Sequence, residues 1–136
     1  MAGTRLHNNN TSTEVIVCAW HLRRIFWVER LWEQVKAKRL DVLRGKVKPR
    51  VNRSEADVNA PYNQEIVIFD PATNDEIARC HWFLEADQKT PSASRFPDPK
   101  QIIINGIDYH LTGKANQECA HCKAGIPTTH DVVMEP

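Results

Sequence analysis

The sequence predicts an α+β fold in which a long N-terminal helix packs on a small antiparallel sheet of about four strands. Two observations carry this reading. Apolar residues recur at helical intervals through the first third of the chain, and four β-branched stretches follow, paired around turn-forming residues. At 136 residues, 41% hydrophobic and 26% charged, the chain is long enough to bury one core and has the composition of an ordinary folded protein.

The helix signal opens at Thr11-x-x-Glu14, which has the spacing of a capping box. Cys18, Leu22, Ile25, Val28, Trp32, Val35 and Val42 follow with a period close to 3.6, and Gly45, flanked by Lys46 and Lys48, supplies a stop. A helix from Ser12 to Arg44 would be about 50 Å long, whereas a domain of this size is roughly 35–40 Å across. The preferred expectation is therefore a helix that overhangs the body or breaks. The alternative is that Val15-Ile16-Val17 forms a short strand before a shorter helix.

Val47 to Asn63 lacks apolar periodicity and reads as a connection. Gln64 to Phe69, a turn at Asp70 to Asp75, and Glu76 to Glu85 read as a first hairpin. Gln101 to Ile104, Asn105-Gly106 and Ile107 to Thr112 read as a second, because Asn-Gly suits a two-residue type I′ turn. Between the hairpins lies the proline-bearing stretch Ala86 to Lys100. The expected organisation is a flexible tail at 1–11, one domain at 12–112, and a Cys/His tail at 113–136 that a zinc ion would clip to the domain.

Nothing near the N-terminus has the pattern of a secretory leader, since Thr4 to Thr13 is polar. The most apolar run, Val15 to Trp20, falls far short of the roughly 20 residues that cross a bilayer. A cytoplasmic protein with no membrane partner is expected, and its four cysteines then read as thiols or metal ligands before disulfides.

Cys119-x-x-Cys122 has the spacing that lets two thiolates grip one tetrahedral ion, with His130 a loop away, so Cys119, Cys122 and His130 form the candidate zinc set. The fourth ligand is open among His121, Cys80, His81, His110 and the Cys18-x-x-His21 pair. That last pair would make a full set and tie the two ends of the chain together. The plainer reading leaves Cys18 and Cys80 as ordinary buried thiols.

Charge is unevenly placed. Lys36, Lys38, Arg39, Arg44, Lys46, Lys48, Arg50 and Arg53 stand against the single acid Asp41, while the rest of the chain is net acidic. Such a segment can neutralise phosphates or face an acidic protein, and it can equally be a solvated helix end. It alternates with apolar rather than exposed aromatic positions, so phosphate contact would dominate over base stacking.

The sheet offers a catalytic alternative. Arg79 and His81 share one side of their strand, and Asp108 and His110 share one side of theirs; brought together, they would suit metal-free RNA cleavage by a small nuclease or toxin-like enzyme. Glycine-rich phosphate loops, G-x-S-x-G and His-Glu-x-x-His are absent from the sequence. A third reading makes the helix with Trp20, Trp27 and Trp32 an interface, for an inhibitor, an adaptor or a second copy of the chain. The leading expectation is a non-enzymatic binding module that engages nucleic acid or an acidic protein through its basic segment.

Overall fold

The computed structural model describes residues 13–50, 60–92 and 96–111, together with Cys119 and Cys122. In chain order the elements are β1 (Thr13–Val17), α1 (Ala19–Val28), α2 (Leu31–Lys36), β2 (Asp41–Pro49), β3 (Tyr62–Asp70), β4 (Asp75–Leu84), β5 (Asp98–Ile104) and β6 (Ile107–Leu111). All six strands form one sheet in the order β1-β6-β5-β4-β3-β2. Every pairing is antiparallel except that of β1 with β6.

The long helix on a sheet of about four strands is thus overturned, and the molecule is mostly β. The alternative for Val15-Ile16-Val17 is what forms: this β-branched run is the core of β1, with Val15 opposite Tyr109 and Val17 opposite Leu111. Within the span expected as one long helix, α1 takes 10 residues and α2 takes 6. The chain breaks between them at Arg30, a non-glycine residue with φ of 53°, in the left-handed region that a continuous helix cannot contain. Shortening the helix resolves the length conflict.

The second correction concerns Asp41 to Pro49, expected as a helix end running into a connection. It is β2, bonded along one side to β3 and forming the edge of the sheet. An edge strand with one flank in water tolerates lysine and arginine, so its apolar alternation is diluted and the helical period of Val35 and Val42 is accidental. The two expected hairpins are present as β3–β4 and β5–β6. In the second, Asn105 and Gly106 have φ of 54° and 77°, and the register places Ile104 opposite Ile107 and Gln101 opposite His110, as a two-residue type I′ turn requires.

One face of the sheet carries the core. Leu22, Ile25 and Phe26 of α1 pack with Ile66, Ile68, Ala78, Cys80, Ile102 and Tyr109, all buried. The opposite face presents a row running across all six strands: Leu43, Val67, Arg79, Gln101, His110 and Ile16. An ion pair pins α1 to the sheet, where Arg23 donates from Nε to Asp98 Oδ1 at 2.9 Å and Lys100 Nζ reaches Asp98 Oδ2 at 3.0 Å. No described helix is long and apolar enough to cross a membrane. The tail expected at 1–11 lies outside the described residues, and of the segment 113–136 only Cys119 and Cys122 lie within them.

Candidate metal centre

The sharp junction between β1 and α1 fixes the first ligand. Cys18 is the N-cap of α1, with extended backbone (φ −85°, ψ 166°), and its sulfur accepts the amide N–H of His21 at 3.4 Å. His21 lies one turn along, and both residues are buried.

Cys119 and Cys122 meet this junction. The Sγ atoms of Cys18, Cys119 and Cys122 all lie within 4.8 Å of one another. Cys119 and Cys122 are 3.6 Å apart, Cys18 and Cys122 are 3.8 Å apart, and His21 Nδ1 lies 3.4 Å from Cys119 Sγ. These separations can be tested against chemistry. In a tetrahedral site with Zn–S of about 2.3 Å and Zn–N of about 2.0 Å, neighbouring sulfurs sit about 3.8 Å apart and a nitrogen sits about 3.5 Å from a sulfur. The Cys119–Cys122 and Cys18–Cys122 contacts match the sulfur edge and the His21–Cys119 contact matches the nitrogen edge, and a disulfide, at about 2.05 Å, is far shorter.

The thiols differ in acidity. Burial pushes Cys122 up to about 12, reinforced by the adjacent thiols of Cys119 and Cys18. Burial also opposes ionisation of Cys119, but the backbone donors of Cys122 and Cys18 outweigh it and hold that thiol below its ordinary value. A divalent cation would remove the conflict by taking all three as thiolates. Soft sulfur ligands with one imidazole suit zinc among the common divalent ions.

Of the sequence-level zinc candidates, Cys119 and Cys122 are in the cluster, whereas His130 and His121 lie outside the described residues. The cluster instead recruits Cys18, from the Cys18-x-x-His21 pair that the sequence offered as one of several fourth-ligand possibilities, while His21 touches it through Cys119 alone. Its signal was the matching two-residue spacing of Cys-x-x-His and Cys-x-x-Cys. Cys80 sits apart on the core face of β4, and burial raises its thiol far above the ordinary range, as befits a packing residue. His81 and His110 belong to the other face of the sheet.

That other face holds all four residues of the catalytic alternative as two separated pairs, with His110 Nδ1 3.5 Å from Asp108 Oδ1 on β6 and Arg79 and His81 on β4. β5 intervenes between β4 and β6, so Arg79 reaches His110 only across Gln101, two strand spacings or about 9.5 Å away. The Arg79 guanidinium is held by Glu76 at 2.8 and 2.9 Å. Gln101 Nε2 donates to Asp108 at 2.9 Å, and His110 Nε2 contacts Glu14 at 3.1 Å. Arg79, Asp108 and His110 are thus each engaged with a neighbour on the sheet.

The basic segment runs from the end of α2 along β2. Lys36, Lys38, Arg39, Lys46 and Lys48 are exposed, and among the described residues none of them pairs with a carboxylate. Arg44 is used internally, bonding Gln64 at 2.7 Å and lying over the Trp82 ring at 4.9 Å. Arg50 covers Phe83 at 4.5 Å and donates to the Ala60 carbonyl at 3.1 Å. Arg53 lies outside the described residues.

The tryptophans divide as well. Trp32 is half-buried, edge-on to Trp82 at a centroid distance of 5.3 Å, whereas Trp20 and Trp27 are 53% and 49% exposed on one stripe of α1. Compared with known protein families, with curated proteins and with solved structures, the chain matches none of them.

Proposed function

We propose that this chain is a non-enzymatic, cytoplasmic binding module whose fold is closed by a structural zinc ion on Cys18, Cys119, Cys122 and His21. The observation that carries the zinc half is the convergence of three sulfurs within 4.8 Å from opposite ends of the chain. Three cysteines, two of them buried, with His21 against Cys119 as the fourth ligand would leave no position for substrate, which suits a structural ion rather than a catalytic one. Its chemistry is to cross-link the start of α1 to the C-terminal segment.

The binding half rests on the unpaired cations of α2 and β2, which give one edge of the sheet a positive field. A polyanion is the partner that uses such a field with least demand on shape, because phosphate neutralisation releases counterions whatever the sequence.

Elemental analysis of protein purified from zinc-supplemented medium tests the first half. One zinc per chain is expected, and less than a tenth of an equivalent overturns it. Titration with heparin and with a nucleic-acid duplex at several salt concentrations tests the second. Four phosphate contacts on the duplex give a log–log salt slope of roughly −3.6, and a flat dependence removes the polyanion.

A further inference from the structure

The exposed aromatic residues and the unpaired cations, separate in sequence, border one continuous surface. A groove of about 760 Å³ runs between the helices and the β4–β5 side of the sheet, lined by Trp27, Phe96, Arg30 and Lys36 among others. Trp27 is 49% and Phe96 67% exposed. Phe83 and Asp98 line this groove and also a smaller cleft of about 360 Å³, which holds Lys48, Arg50, His81 and Lys100. The groove therefore leads from an aromatic pair to the basic strand.

Its charge is one-sided. The two depressions together hold the cations Arg23, Arg30, Lys36, Lys48, Arg50 and Lys100 against the carboxylates Glu33, Glu65 and Asp98. Asp98 is already shared by Arg23 and Lys100, while Arg30, Lys36 and Lys48 make no ion pair among the described residues. Arg30 is also the left-handed residue at which the helix breaks, so it keeps this position at a conformational cost, as residues at ligand clamps commonly do.

We infer that this groove binds single-stranded nucleic acid, with unpaired bases stacking on Trp27 and Phe96 and phosphates lying on Arg30, Lys36 and Lys48. Aromatic faces accept any base, and cations spaced along a groove follow a backbone, which together make the usual single-strand site. A duplex has its bases already stacked, so it gains only the phosphate contacts. An acidic peptide gains the charge but leaves the two rings without planar partners. The inference rests on the polyanion half of the proposed function and sharpens it to one class and one site.

The test uses the full-length, zinc-loaded chain and fluorescence polarisation with labelled 12-mers of U and of dT, a 12-base-pair duplex, heparin and an acidic peptide. Both single strands are expected to bind more tightly than the duplex and to quench tryptophan emission, with the U and dT arms showing whether RNA or DNA is preferred. Trp27→Ala and Phe96→Ala should each weaken single-strand binding about 5- to 100-fold, with heparin binding and the thermal midpoint unchanged. Arg30→Gly, which retains the backbone conformation while deleting the cation, should weaken every polyanion.

Single-strand binding undiminished in both aromatic variants overturns the groove while leaving phosphate-only polyanion binding intact. Absence of binding to heparin and to all nucleic acids overturns the inference and the polyanion reading together. Two further results overturn the inference alone: preference for the acidic peptide over the single strands, and concentration-dependent self-association that Trp27→Ala abolishes without any single-strand binding.

Discussion

Cys18 and Cys122 are 104 positions apart in the chain, yet their sulfurs lie 3.8 Å from one another. A contact of that span, were it bridged by one ion, would act on the unfolded chain as a cross-link does. Closing a loop of about 100 residues is worth up to about 4–5 kcal/mol.

Cys18→Ser and Cys122→Ser should therefore each lose the metal and about 3–4 kcal/mol of stability. Chelation of the unmodified protein should produce the same loss. Cys80→Ala should retain a full equivalent of metal, because that thiol is outside the cluster. Metal content and urea unfolding read both effects, and stability unaltered by chelation would show that the three thiols merely touch.

The Arg23–Asp98 pair should make part of the stability acid-sensitive. Burial by itself would raise the Asp98 carboxyl, but hydrogen bonds and charge from Arg23 and Lys100 outweigh it and hold the group below its usual value. Asp98 thus binds its proton more weakly folded than unfolded. Its contribution is complete above the unfolded value of about 4 and is lost as pH falls through the lower folded one. Asp98→Asn should cost about 1–2 kcal/mol at pH 7, discounted because Arg23 is half exposed. The difference from wild type should shrink at acid pH, and a penalty that grows there would contradict the assignment.

The two faces of the sheet should respond unequally to truncation. Ile102 is fully buried, whereas Ile16 is 65% exposed. Ile102→Ala should cost about 2–5 kcal/mol and Ile16→Ala less than about 0.5 kcal/mol, measured by urea unfolding. Comparable losses would mean that the outer row is covered too.

Gly106 offers a test of the β5–β6 turn. Its φ of 77° is strained for any residue with a Cβ, although nothing lies within 4 Å of where that atom would sit. Gly106→Ala should cost about 1 kcal/mol through backbone strain alone, and a stabilised variant would show that the turn is of another type.

Local chemistry legible in the residues settled the two hairpins. Asn105-Gly106 dictated its own turn and, through it, the register of four residue pairs, because both left-handed positions are demanded within two residues. The matching spacing of Cys18-x-x-His21 and Cys119-x-x-Cys122 was readable, but spacing alone could not bring Cys18 to Cys119 and Cys122. That meeting depends on which distant segments of the chain approach.

Tertiary structure alone decided the rest. Whether Val15-Ile16-Val17 would be strand or helix turned on the free flank of β6, a partner over 90 positions away that no local pattern announces. Asp41 to Pro49 took its strand form from the edge of β3, and its cations obscured the alternation because one flank meets water. The catalytic alternative asked for adjacent strands, and β5 lies between them. Side-chain periodicity reports which face of an element is apolar, but strand order and long-range closure are fixed by pairing between distant segments, so they emerge only when the chain is folded.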